Sequence, residues 1–335
     1  MTNNYNYVVL NSYDKLTSLP NKDSYIDICV RDLYGRDDIK VINLPLQGKS
    51  SLLRFIYAIH NSERVNKLLR MPFKNIWYPF LLSFEFKNNR PICFVLLETR
   101  FREDFLLFLK EKYTNCKIVA LHRDFIHKSG GLKLNRLIDI EMTYDKGESV
   151  RYNMPVFSEF ESKVDIKAGS VFESDVFFAG RAKDRLPDLL KAYDLFTKNG
   201  LRVYYFLTSV PKEEQVDLPG IEYAERYMTY EEMLYHTVNT RCVLEIIQGG
   251  GQTGYTSRFL ESVIYGKKLL TNCKSVKESK FYAPDKIQVI SKISDINVNF
   301  IKEGNGFVSY NYNGEFSPLR VIERIDEELN KKYQI

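Results

Sequence analysis

The sequence predicts an α/β protein built as two successive Rossmann-like domains facing each other across a cleft. Three observations carry this. The chain has 335 residues, a length that fits two domains with separate cores. Short β-rich apolar runs alternate with amphipathic stretches throughout, the pattern of mostly parallel sheets covered on both faces. Residues 154–172 have mixed polar composition, a proline at Pro155 and no clear period, which places a linker between the halves. The expected organisation is a first domain over 1–155, a linker over 156–172 and a second domain over 173–316. A final amphipathic helix, 317–335, could pack back on the N-terminal domain.

In the first half, strands are expected at 7–10, 25–30, 39–44, 92–97, 117–121 and 139–143. Helices with an apolar face are expected at 51–70 and 102–112. The second half is cleaner. A buried strand over 175–179 (DVFFA) leads into a helix over 184–198, closed by Asn199-Gly200. Then come a strand at 202–207, a helix at 230–237, a strand at 242–247 (CVLEII), a glycine loop, a helix over 256–265 and a strand over 268–271. In open parallel sheets ligands sit at the carboxyl ends of strands, so the turns after strands are where function is sought.

Composition narrows the classes. Apolar residues make up 44% and charged residues 27%, which excludes a disordered or fibrous chain. No apolar run reaches the ~18–20 residues of a spanning helix, and the N-terminal stretch lacks the marks of a signal peptide. The five cysteines form no C-x-x-C pair and read as reduced core thiols of a cytoplasmic protein. The net charge of +5 lies wholly in residues 1–165, which hold 25 Lys/Arg against 20 Asp/Glu. That excess suits a phosphorylated acceptor or an acidic membrane face, and equally an ordinary solvated surface. It is too sparse for a nucleic-acid footprint.

The strongest local signal is GGGQTGYTSR at 249–258, between a strand and a helix. Glycines allow close approach of the backbone, and free amides at a helix start favour a phosphate. Thr253, Thr256 and Ser257 add hydroxyls, and Arg258 adds a fixed positive charge. Gly249, Gly251 and Gly254 match the dinucleotide fingerprint letter for letter. The acidic residue expected about 20 positions on is missing, however: Asn272 and Cys273 stand there. A second near-match, NLPLQGKS at 43–50, lacks the first glycine of a P-loop, and Pro45 removes a cradling amide. At 178–185, FAGRAKDR puts Arg181, Lys183 and Arg185 just past a strand end, where they would stabilise charge on a departing diphosphate. At 121–127, LHRDFIH offers His122 or Asp124 as a proton acceptor for a hydroxyl. No D-x-D pair occurs, which weakens any mechanism that uses a metal held by paired aspartates.

These residues resemble the GT-B glycosyltransferases, particularly bacterial enzymes that build capsular, exopolysaccharide or lipopolysaccharide chains. The resemblance lies in DVFFAGRAKDRLPDLLKAYDLF, YMTYEEMLYHTVNTRCVLEI and GGGQTGYTSRFLESVIYGKKLLTN in the donor half. It extends to HRDFIHKSGG and IDIEMTYDKGESVRYNM at the end of the acceptor half. It covers about two-thirds of the chain; residues 1–115 match only in their α/β rhythm. It implies that Gly180, Arg181 and Lys183 or Arg185 hold the nucleotide diphosphate. It further implies that Gly251, Thr253, Gly254, Thr256, Ser257 and Arg258 line the diphosphate and sugar pocket. Glu261 would bind the ribose hydroxyls, and the turn at 227–230 would lie near the base. Thr253 stands where the family's earlier glutamate is expected, which leaves the donor sugar and the retaining or inverting outcome open.

The resemblance implies a cytoplasmic transferase that moves a sugar from a nucleotide-diphosphate donor to a glycan or lipid-linked glycan. It would need no metal and no cofactor beyond that donor, and would leave room for peripheral contact with the inner membrane face. Asp124 or His122 would be the base if the reaction inverts, and would position the acceptor if it retains; Arg181 would steady the leaving group. Two alternatives stand beside it: a sugar-nucleotide epimerase of the same fold, and a non-catalytic glycan-binding subunit.

Overall fold

The structure, a computed structural model, describes residues 4–10, 28–42, 50–69, 72–82, 84–97, 101–126, 136–167, 169, 173–247, 253–304 and 306–334. The chain divides into two compact units, Met1–Ser158 with Ser317–Ile335, and Glu159–Phe316.

The first unit contains β1 (Asn6–Leu10), β2 (Ile39–Ile42), α1 (Ser51–Asn61), α2 (Glu63–Leu69), α3 (Tyr78–Leu81), β3 (Ile92–Leu96), α4 (Glu103–Lys112), β4 (Lys117–His122), β5 (Ile140–Thr143) and α5 (Lys146–Tyr152). Its five strands are all parallel, in the order β2-β1-β3-β4-β5. Val8, Leu10, Phe94, Leu96, Ile118 and Ala120 point to one face and bury against Tyr57, Trp77, Tyr78, Phe105 and Leu109.

Two expectations fail here. Of the strand expected at 25–30, residues 25–27 lie outside the described residues, Ile28 and Cys29 are helical, and Val30 is a turn leading into a 3-10 turn over Arg31–Leu33. Both edges of β1 are already taken, by β2 and by β3, so no place beside it is open to a further strand. The helix expected over 51–70 breaks at Ser62, which is extended (φ −59°, ψ 126°). Asn61 and Ser62 are short polar residues that bond locally instead of propagating a helix; the Asn61 amide donates to the Tyr57 carbonyl at 3.1 Å.

The second unit contains β6 (Ser174–Arg181), α6 (Leu186–Lys198), β7 (Val203–Thr208), β8 (Ile221–Ala224), α7 (Tyr230–Val238), β9 (Thr240–Glu245), α8 (Ser257–Ile264), β10 (Lys268–Thr271), β11 (Ile287–Val289) and α9 (Val298–Lys302). Its six strands are also all parallel, in the order β11-β10-β9-β6-β7-β8. The pleat of β6 sends Val176 and Phe178 into a core with Leu189, Phe196 and Tyr205. Phe177 and Ala179 face the other way, against Phe206 and Met233. A separate cluster of Phe259, Leu260, Val263 and Leu269 seats α8. The helices start and stop where their chemistry dictates. A 3-10 turn over Lys183–Arg185 precedes α6, and Gly200 at φ +75° follows it. Thr229 and Glu232 form a reciprocal capping box on α7.

The last helix, α10 (Pro318–Tyr333), belongs to the first unit. Its Asp326 accepts the Tyr7 hydroxyl at 2.6 Å, and its Tyr333 hydroxyl donates to Asp139 at 2.6 Å. All five cysteines are buried and free.

Candidate functional site

In each sheet the strand order reverses beside its first strand, between β6 and β9 in the second unit. Chains leave such a pair in opposite directions and open a crevice at the carboxyl ends. The FAGRAKDR segment ends β6 there, and Ile246 follows β9. Gly180 has φ +148°, a region L side chains rarely adopt, and a Cβ at that position would lie 3.0 Å from the Arg258 guanidinium. The glycine is therefore what lets Arg258 reach the strand end, where its Nη2 donates to the Ala179 carbonyl.

Arg185 joins it. Its Nη1 donates to the Ile246 carbonyl at 2.6 Å, and its Nη2 to the Arg181 carbonyl. Both guanidinium carbons lie 5.1 Å from the centre of the Phe178 ring. Two like charges thus share one aromatic platform. Burial, and next the charge of Arg258, push Arg185 down to about 10. No ion pair neutralises Arg181, Arg185 or Arg258 among the described residues, and the buried Arg185 Nε has no hydrogen-bond partner among them. Arg181 is exposed; its Nε donates to the Tyr227 hydroxyl at 2.8 Å and its guanidinium lies 5.2 Å from that ring. Lys183 is exposed, at φ +44°.

Thr256 caps α8, its oxygen accepting the Phe259 amide, while its hydroxyl donates to Glu245. The other Glu245 oxygen accepts the Thr271 hydroxyl. Glu245, which sequence reasoning missed, thus ties the start of α8 to the ends of β9 and β10. Its signal was a lone acid closing the apolar run CVLEII. Thr253, half-buried, and Gly254, buried, lie just before the helix, and Ser257 opens it. Gly251 and the glycines beside it lie outside the described residues. So do residues 43–49 of the P-loop near-match, whose described member, Ser50, caps α1 by accepting the Leu53 amide.

Glu261 is 1% exposed and accepts the Tyr230 hydroxyl at 3.3 Å. Burial pushes its carboxyl up to about 7, with Glu245 adding to the rise, against the opposing pull of Arg258 and of the Tyr230 hydrogen bond. The folded protein therefore holds a proton that the unfolded chain releases near ~4.3. The stabilisation is complete below that value and is lost as pH rises through about 7. Glu261→Gln should flatten this slope, so urea unfolding between pH 5 and pH 7.5 should show wild type losing stability relative to the variant, by about 1 kcal/mol or more.

In the first unit, His122 ends β4 and is buried. Its Nε2 lies 2.7 Å from a carboxylate oxygen of Glu141 on β5, a partner the sequence reading did not identify. A carboxylate so placed orients the ring and leaves Nδ1 for other partners. Asp124 is exposed, two residues on. The segment carrying it is anchored by Glu148, which is buried and accepts the Ile126 amide at 2.8 Å. Glu141 also lines a cavity of about 680 Å³ with Arg136, Tyr152 and Lys332. His127 lies outside the described residues. The structure therefore brings Gly180, Arg185, Arg258 and Glu261 together in one unit, and pairs His122 with Glu141 in the other.

The fold is α/β with two parallel sheets, each a Rossmann-like domain, as in GT-B structures. Three solved structures align with nearly the whole chain. A Listeria monocytogenes protein assigned provisionally as a UDP-N-acetylglucosamine 2-epimerase is 8% identical, over 98% of this chain and 97% of its own, with a TM-score of 0.51. A trehalose-6-phosphate structure from E. coli bound with UDP-2-fluoro glucose is 9% identical, over 97% and 98%, with a TM-score of 0.50. The apo lipopolysaccharide outer core galactosyltransferase WaaB is 12% identical, over 97% and 99%, with a TM-score of 0.43. No protein family and no curated protein matches the chain by sequence.

Proposed function

We propose that the protein is a glycosyltransferase that moves a sugar from a nucleoside diphosphate donor to a hydroxyl of a growing, lipid-linked surface glycan. The observation that carries this is the Arg185–Arg258 pair, two cations on the Phe178 ring at the end of β6 with no carboxylate ion-paired to either among the described residues. A diphosphate placed there accepts the unused guanidinium protons and relieves the repulsion between the two charges. The names of two structures of this fold, one carrying UDP-2-fluoro glucose and one concerning a UDP-sugar epimerase, support a uridine nucleotide as donor.

In the proposed reaction the bond from the anomeric carbon to the diphosphate oxygen breaks, and its electron pair stays on the leaving group. Arg185 and Arg258, with Arg181, Lys183, Thr256 and Ser257 around them, meet that charge without a metal. Thr253 and Gly254 line the sugar side, and Glu261 serves the ribose. In an inverting reaction His122 accepts the proton of the acceptor hydroxyl through Nδ1 while Glu141 stabilises the imidazolium. Asp124 is the other candidate base. His122→Gln and Glu141→Gln should lower turnover, the former by about 100-fold or more, and leave nucleotide affinity within about twofold. Steady-state kinetics beside calorimetry separates these effects.

A second reading has its own support. Glu261, whose carboxyl burial raises to about 7, lies beside Glu245, and a pair of neighbouring carboxyls is what an epimerase would use. Incubation with UDP-sugars, with and without a lipid-linked glycan, decides. UDP release that needs the glycan supports the transferase, and an altered sugar without any acceptor supports the epimerase. Glycan binding without nucleotide affinity means a non-catalytic subunit.

A further inference from the structure

Helix α1 turns an apolar stripe outward. Leu52 and Phe55 are 68% and 62% exposed, and Ile56 and Ile59 are exposed beside them, at the i, i+3, i+4, i+7 spacing of one helical face. The opposite face is pinned. Tyr57 packs edge-on against Trp77 at 5.2 Å, and the Trp77 indole N–H donates to the His60 Nδ1 at 2.7 Å. The His60 Nε2 lies 2.7 Å from the Pro72 carbonyl. The stripe cannot roll inward without dismantling that hub. The adjoining elements continue the pattern, with Leu68 at 83% and Phe73 at 74% exposed. Of the sixteen large apolar side chains exposed among the described residues, nine fall between Leu52 and Phe80. Such concentration marks an interaction surface.

Charge selects the partner. Residues 50–82 hold five Lys/Arg and a single acid, Glu63. Arg64 and Lys67 are exposed on α2, at positions that share a helical face with the exposed Leu68. Two copies of this face would set like charges against each other, whereas a continuous anionic surface complements it. No helix among the described residues is long and apolar enough to cross a membrane.

We propose that this face docks on an anionic lipid bilayer. Leu52, Phe55, Ile56 and Ile59 enter the boundary between headgroups and acyl chains, and Arg64 and Lys67 pair with lipid phosphates. This surface goes beyond the transferase reading and stands independently of it.

Co-sedimentation of the full chain with vesicles tests this, using phosphatidylcholine alone and phosphatidylcholine mixed with phosphatidylglycerol. Wild type should bind the mixed vesicles, with affinity falling as salt rises. Phe55→Ser with Ile59→Ser should weaken that binding by about tenfold or more. Arg64→Gln with Lys67→Gln should remove most of the preference for anionic over neutral vesicles. All these side chains are exposed, and unchanged circular dichroism confirms that the variants fold. No binding of wild type to the mixed vesicles, or equal binding by the Phe55/Ile59 variant, overturns the proposal. So does a dimer in size-exclusion chromatography that the same variant dissolves.

Discussion

Arg258→Ala should weaken UDP binding by about 10- to 100-fold while leaving the thermal midpoint within a few degrees. The magnitude follows from losing one charge-assisted contact to phosphate, worth about 1.5–3 kcal/mol. The small effect on folding follows from compensation. The variant loses the hydrogen bond to the Ala179 carbonyl and the contact with Phe178, but it also removes the charge that, second to burial, pushes Arg185 down. Calorimetric titration of UDP, with differential scanning calorimetry on the same samples, reads both. Lysine at this position should recover only part of the affinity, because a point charge does not reproduce the planar fork that reaches the strand end.

Gly180→Ala should cost both stability and affinity, and separates backbone from charge. Nothing charged is removed. The added methyl meets the Arg258 guanidinium at 3.0 Å, and φ +148° is strained for any L side chain. The expected destabilisation is about 1–3 kcal/mol in urea unfolding. The guanidinium must shift while still held by the Ala179 carbonyl, so UDP affinity should fall by about tenfold as well. Wild-type affinity in this variant would mean that the close approach of Arg258 to β6 plays no part in binding.

Particular residues show how far the sequence was legible. The run DVFFAGR is apolar, β-rich and closed by glycine, so β6 and the position of Gly180 could be read directly. Asn199-Gly200 likewise marked the end of α6. β8 and β11 are only four and three residues long and carry polar residues, too short for alternation to separate them from loop. In 51–70 the period correctly showed an apolar face, but period says which residues share a face and not what that face meets. Here the stripe points outward, and the chain breaks at Ser62. As members of the candidate site, Gly180, Arg185 and Arg258 were legible because each sits at a strand end or helix start, the turns where a ligand is sought in a parallel sheet. Glu245 and Glu141 were not. Glu245 acts on Thr256 and Thr271, and Glu141 on His122, residues brought together only by the parallel register of neighbouring strands.

The most direct test is calorimetric titration of the wild-type protein with UDP and with uridine, each in the presence of EDTA. If the arginines at the end of β6 seat a diphosphate without a metal, UDP binds with chelator present and uridine binds at least about 100-fold more weakly. Equal affinity for the two ligands, or binding of UDP that vanishes with EDTA, would contradict it.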